Sequence, residues 1–216
     1  MNIIELMAET SIAESVGNSL LLLDIDDTLL TAQNIYIHKI LPSGKIEKLT
    51  PEQYAAEDTK KQKASGVKYS YEEFNDPKKV AKSIKTGIPI IPNLSIMDSY
   101  IKNGWRIGIL TARGLEDVIA DSMKKWLMHK DEKGKLRNIG DKLVRELIFA
   151  INDSNKRYAG EGDFDKKKNV IKKLAKQFDR IVFIDDDPKN LKAVKDMVER
   201  EKIKNVYPKE AKKSES

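Results

Sequence analysis

Apolar and polar positions follow two rhythms along this chain. Short, nearly continuous apolar runs occur at Leu20–Leu23, at WRIGIL (105–110), at ELIFAI (146–151), at RIVFI (180–184) and, more weakly, at KNVY (204–207). Runs of this length predict strands buried on both faces, as in a parallel sheet. Between them, apolar residues recur at helical spacing. Residues 93–103 place Ile96, Met97, Tyr100 and Ile101 on one face and stop before Gly104, a C-terminal cap signal. Residues 114–128, 166–178 and 188–200 repeat the pattern through Val118 and Met123, Ile171 and Leu174, and Leu191 and Val194. Strands alternating with helices of this size predict an α/β fold, a parallel sheet flanked by helices.

Residues 31–91 break the rhythm. IYIHKIL and KIEKL flank Pro42-Ser43-Gly44 and predict a hairpin. Thr50-Pro51-Glu52-Gln53 joins an N-cap, a first-turn proline and a glutamine at the third position, which opens a helix; another starts at Asp76-Pro77 and ends near Gly87. The expected organisation is a discontinuous core (18–30 and 92–208) with a small flap or cap inserted after the first strand (31–91). A helix is expected over 1–17, a disordered tail over 209–216, and a second lip to the site over 129–145.

Composition changes this picture little. There is no cysteine, which excludes disulfides and thiolate metal sites and leans towards a reducing, cytoplasmic setting. The first residues carry acidic groups and no long apolar core, unlike a signal peptide, and no apolar run reaches a membrane-spanning length. The net charge is +6, but 40 basic residues are interleaved with 34 acidic ones, as on a solvated lysine-rich surface.

The polar residues at the ends of the apolar runs carry the chemistry. In an open parallel sheet, ligands bind outside the carboxyl ends of the strands. Asp24 and Asp26 follow the first strand, Thr111 the second, and Asp185, Asp186 and Asp187 the fourth. Asp187 reads as the N-cap of a helix opening at Pro188, and Thr111 alone would read as a helix cap. Two carboxylates about 4 Å apart repel by roughly 4 kcal/mol at an effective dielectric near 20. A divalent cation removes that cost, and an all-oxygen set without histidine or cysteine points to Mg²⁺. His38 and His129 read as surface residues.

LLLDIDDTLL, ILTARG, FDKKKNVIKKL and VFIDDDPKN together resemble the four ordered motifs of the haloacid dehalogenase (HAD) superfamily, over roughly residues 18–207. The texture of KSIKTG and GWRIGILTARGLED is similar to small bacteriophage-type HAD phosphatases. The resemblance implies a Rossmann-like HAD core and a Mg²⁺-dependent phosphatase that works through an aspartyl-phosphate. Asp24 would be the nucleophile and Asp26 the acid and base. Mg²⁺ would be held by Asp24, the Asp26 carbonyl and Asp186, with Asp185 nearby; family members vary in which of the acidic pair touches the metal. Thr111 and a lysine would bind the phosphoryl oxygens. The lysine could be Lys166, Lys167 or Lys168; the family places it about four residues before a buried aliphatic, and with Ile171 in that role the resemblance implies Lys167. Arg113 is either a bidentate phosphate contact or a surface arginine at a helix start. Aspartate at position 26, where ion pumps of the superfamily carry threonine, implies rapid hydrolysis of the intermediate.

A P-loop kinase is excluded by the missing glycine loop. A receiver domain would place its acidic pair first, not last. The remaining non-enzymatic alternative is an inert HAD-fold binding module. The expected partner is a phosphorylated small molecule, a nucleotide, or the end phosphate of a nucleic acid. Tyr36, Lys39, Tyr54, Tyr69 and Tyr71 are candidates for substrate contact or for the cap's own small core.

Overall fold

The computed structural model describes residues 18–131, 133–155 and 158–213. The helix expected over 1–17 and the last three residues lie outside that range. Five parallel strands form the central sheet: β1 (Ser19–Leu23), β7 (Arg106–Thr111), β10 (Leu143–Ala150), β11 (Arg180–Asp185) and β12 (Val206–Glu210). Their order across the sheet is β10-β7-β1-β11-β12, so the chain builds outward on one side of β1 and then on the other. The reversal beside β1 creates the crevice in which such sheets bind ligands. This is an α/β architecture with a Rossmann-like sheet, as the apolar pattern predicted.

Leu20 to Leu23 are fully buried because β1 is covered on both faces. Leu21 and Leu23 pack with Ile107, Ile109 and Ile184 beneath α4 (Ile91–Lys102) and α5 (Glu116–Trp126). Leu20 and Leu22 pack with Phe183 and Ile181 beneath α6 (Asp163–Leu174) and α7 (Pro188–Glu201). The alternation is the two-residue period of a strand, here apolar in both directions. Gly108 lets β7 approach β10 closely where the β10 register shifts, since a Cβ there would stand 2.6 Å from the Leu147 carbonyl oxygen.

The insertion rises from a two-stranded stem, β2 (Leu30–Thr31) paired antiparallel with β6 (Ile88–Pro89). The expected hairpin is present as β3 (Ile37–Ile40) and β4 (Ile46–Leu49), joined on the far side of β3 by β5 (Lys68–Ser70). The capping box at Thr50 opens α1 (Pro51–Ala55), and Asp76 caps α3 (Pro77–Lys85). The short helix α2 (Thr59–Ala64) and β5 have no apolar stripe to announce them.

Three expectations are corrected. Residues 209–212 are ordered: β12 runs to Glu210, and the Ala211 amide donates to the Asp185 carbonyl. The segment expected as a second lip forms the hairpin β8 (Met128–Lys130) and β9 (Leu136–Asn138). It packs on α4, where Arg137 bonds Asp98, and none of its described residues lines the cavity at Asp26. His129 is buried, not on the surface, and His38 is half-buried between Glu72 and Glu73. No described helix is long and apolar enough to cross a membrane.

Candidate active site

At the carboxyl end of β1 the chain stays tied to β11, since the Asp24 amide donates to the Ile184 carbonyl at 3.0 Å. It then turns tightly: the amides of Thr28, Leu29 and Leu30 all donate to the Ile25 carbonyl, and Asp27 adopts a left-handed φ of 53°. Aspartate tolerates that conformation better than most side chains. The turn presents Asp24 towards β11, where Asp185 and Asp186 end the strand.

Asp24, Asp185 and Asp186 each offer a carboxylate oxygen within 4.8 Å of the others. Lys167 reaches them from the fifth position of α6. Its apolar neighbours Val170, Ile171 and Leu174 face the sheet, so the same helix face drives the ammonium inward. Lys167 is 1% exposed and donates to Asp24 at 2.9 Å and to Asp185 at 2.7 Å. Lys166 bonds Asn152 and Lys168 bonds Asp165 instead, so the lysine brought to the carboxylates is the one the resemblance implies.

The two acidic residues after β11 have distinct environments. Asp185 is fully buried and saturated: besides Lys167 it accepts from the Asp187 amide at 2.9 Å and from Asn190 at 3.0 and 3.1 Å. Asp186 is partly exposed, and its one side-chain contact among the described residues is a long bond from Thr28 at 3.4 Å. Burial raises the Asp24 carboxyl well above the usual range; Lys167 opposes this while Asp185 and Asp26 add to it. Asp186 is pushed up to about 6 by burial, then by Asp185 and Asp27. Burial disfavours the Lys167 charge, but Asp24 and Asp185 more than reverse that and raise its pKa. Asp187 caps α7 as expected, accepting from the Lys189 amide at 2.8 Å.

Asp26 points elsewhere. Arg113 holds it bidentately, Nε to Oδ2 at 2.8 Å and Nη2 to Oδ1 at 2.7 Å, while Nη1 donates to Ser83 of α3 at 2.8 Å. Arg113 is therefore neither a surface arginine nor, in this arrangement, turned to a phosphate. It is 3% exposed and ties the core to the cap. Burial opposes its charge, yet the Asp26 carboxylate raises its pKa. Thr111 is fully buried at the end of β7, where its Oγ1 accepts from the Arg113 amide at 3.3 Å.

Sequence reasoning missed three residues. Asn190 and Ser83 orient Asp185 and Arg113. Asn93, fully buried in α4, donates to the carbonyls of Thr28 and Lys212 at 2.7 and 2.8 Å, fastening the turn after Asp24 to the segment after β12. The DPKN stretch carried a signal for Asn190, one helical turn after the acidic pair; nothing in the sequence marked the other two.

The aromatic candidates of the cap separate. Lys39 is buried and paired with Glu57, which also accepts from Tyr69. Tyr36 lies beneath Lys48. Tyr54 and Tyr71 are bonded through their hydroxyls and line a cavity of about 520 Å³ that opens at Asp26 and Arg113.

Comparison of the chain with protein-family models, curated proteins and solved structures gave no match.

Proposed function

We propose that this chain is a Mg²⁺-dependent phosphomonoesterase of the HAD type, acting through an aspartyl-phosphate on Asp24. The observation that carries the reading is the buried Lys167 bridging Asp24 and Asp185, beside Asp186, at the reversal point of a parallel sheet. A nucleophilic carboxylate needs neighbours that steady the negative charge of an incoming phosphoryl group, and a fixed ammonium in a water-poor site does this efficiently.

The donor set fits a hard divalent cation. All three carboxylates are oxygen ligands, and burial and mutual repulsion raise the pKa of Asp24 and Asp186, as expected of a site built for added positive charge. Asp24 and Asp186 would hold it; Asp185 is occupied with Lys167 and Asn190 and serves to aim the lysine. When bound, Mg²⁺ supplies charge neutralisation for the phosphoryl oxygens. The chain's own residues do the rest. An Asp24 oxygen attacks phosphorus, and the P–O bond to the leaving alcohol breaks. Asp26 protonates that alcohol and then takes a proton from the water that hydrolyses the acyl phosphate. Lys167 and Thr111 contact the phosphoryl oxygens. Arg113 holds Asp26 at the boundary between core and cap, and acting as the acid requires Asp26 to release this ion pair, turn towards Asp24 and take up a proton.

The test is release of phosphate from p-nitrophenyl phosphate and a panel of natural phosphomonoesters with Mg²⁺, with EDTA, and with Asp24→Asn. Metal-dependent turnover abolished by that substitution, by a factor of 10³ or more on the scale of lost nucleophiles, is the expected result. Silence across the panel would instead favour a HAD-fold binding module.

A further inference from the structure

The cavity that opens at Asp26 has a form that narrows the substrate. One wall belongs to the cap: Tyr54 and Tyr71, their rings 5.7 Å apart and nearly perpendicular, continue into Phe74. The core contributes Ala112, Arg113 and Gly114 to the lining, and Gly114 packs so closely on the next segment that a Cβ there would stand 3.0 Å from the Asn152 carbonyl oxygen. The exposed faces of the aromatic pair offer a surface on which a flat ring can stack. Along its rim lie Asp163, whose Oδ2 makes no hydrogen bond among the described residues, and Asn75, whose amide is likewise unengaged. Such groups read the hydrogen-bonding edge of a ring that stacks on the wall.

Charge excludes a second class of leaving group. Among the described residues, the only cation lining the cavity is Arg113, already held by Asp26 and Ser83. Asp163 adds a carboxylate that has no ion-pair partner among the described residues and accepts only from Asn152. A polyphosphate or an oligonucleotide would bring further anionic groups past Asp163, where the described lining residues offer no free lysine or arginine to receive them, although single-strand binders depend on such cations. At about 520 Å³ the cavity falls in the range that encloses a whole small ligand, and a lone phenyl ring would leave most of it unfilled.

We propose that the leaving group is a nucleoside: the substrate is a nucleoside monophosphate whose base stacks on Tyr71 and Tyr54 and presents its edge to Asp163 and Asn75. The assignment rests on the phosphomonoesterase reading and deepens it.

The experiment compares kcat/KM for AMP, GMP, CMP and UMP with that for ribose 5-phosphate and for a 5′-phosphorylated oligonucleotide, in the native chain and in Tyr71→Ala and Tyr71→Phe. Base stacking predicts that at least one nucleoside monophosphate exceeds ribose 5-phosphate by roughly 10- to 100-fold. That ratio should collapse towards one in Tyr71→Ala and persist in Tyr71→Phe, which keeps the ring. Ribose 5-phosphate or the oligonucleotide hydrolysed as well as every nucleoside monophosphate, with Mg²⁺ and Asp24 dependence intact, would overturn the nucleoside assignment and leave the phosphomonoesterase standing. If nothing is hydrolysed, the catalytic reading fails and calorimetry decides the assignment. AMP or GMP binding more tightly than ribose 5-phosphate to the Asp24→Asn protein, with the preference lost on adding Tyr71→Ala, supports it; equal or no binding overturns it.

Discussion

In the central sheet the enclosed side chains are almost all apolar, Leu20 to Leu23, Ile107 and Phe183 among them; the cap encloses apolar residues such as Val80, Ile35 and Ile84 together with two charged ones, Lys39 and Glu73, at 8% and 6% exposure. The sheet interior is assembled from apolar side chains that need only be excluded from water. The cap adds to its apolar residues two buried ions, each with several polar partners. Glu73 accepts from the Tyr36 amide at 3.1 Å, from His38 at 3.0 Å and from Lys79 at 3.1 Å, and Glu57 gathers Lys39 and Tyr69. The sheet tolerates no change of shape, whereas the cap can exchange one polar contact for another. If the proposed phosphatase reading holds, the sheet would be the rigid floor for the phosphoryl group and the cap the adjustable wall for the leaving group.

Leu22→Ala strikes the sheet side of this comparison hardest. It should cost about 2–5 kcal/mol, because β1 is covered on both faces and cannot collapse around the gap. Chemical denaturation should show one cooperative transition shifted as a whole. Glu73→Gln should cost about 1–3 kcal/mol and act locally, since a neutral amide cannot serve His38, Lys79 and the Tyr36 amide together. Hydrogen exchange should quicken in residues 36–40 and 77–85 and stay unchanged in β1 and β11. Equal acceleration in both regions would mean that cap and sheet form one cooperative unit.

The third prediction uses pH and is the smallest. The folded-state pKa of Asp186 is about 6, above its ordinary 3.8, and Asp24 is raised as well. A raised pKa means that the folded state holds the proton more tightly. This contribution is complete below pH 4 and is lost as pH rises through about 6. Without divalent cation, Asp186 should therefore lower stability by about 1–2 kcal/mol between pH 4 and 7, after allowance for its partial exposure. Asp186→Asn should flatten that slope. Mg²⁺ added at pH 7 should raise the melting temperature of the native chain but not of Asp186→Asn.

The same contrast explains what could be read in advance. A strand buried on both faces announces itself as an apolar run, so the sheet, its flanking helices and the carboxylates at its end were legible, and the motif resemblance, with Ile171 as the buried aliphatic, separated Lys167 from two neighbours. Short antiparallel strands such as Lys68–Ser70 and the polar helix Thr59–Ala64 carry no period to detect. The hairpin over 128–138 was legible only as an interruption, and its placement against α4 depends on the pairing of Arg137 with Asp98 across 39 positions. Ser83 and Asn93 stayed hidden for a related reason. Each sits on a helix where a small polar residue reads as ordinary, and each matters through a partner 30 to 119 residues distant.

Asn93 also bears on how the molecule comes into being on the ribosome. Its amide is shared between the turn that follows Asp24 and the backbone of Lys212, and the Lys212 amide donates back to it at 2.9 Å. Asp24 is among the first residues of the fold to be synthesised, but its acidic partners arrive more than 150 positions later, and the far anchor of the turn behind it later still. A nascent chain can bury its first leucines early, as domains begin to consolidate while they emerge, but the bonds that fasten the turn behind Asp24 to Lys212 form only once that residue is available. The buried cluster around Asp24 is therefore assembled from segments more than 150 positions apart, and a chain stopped before residue 180 would lack Asp185 and Asp186 altogether.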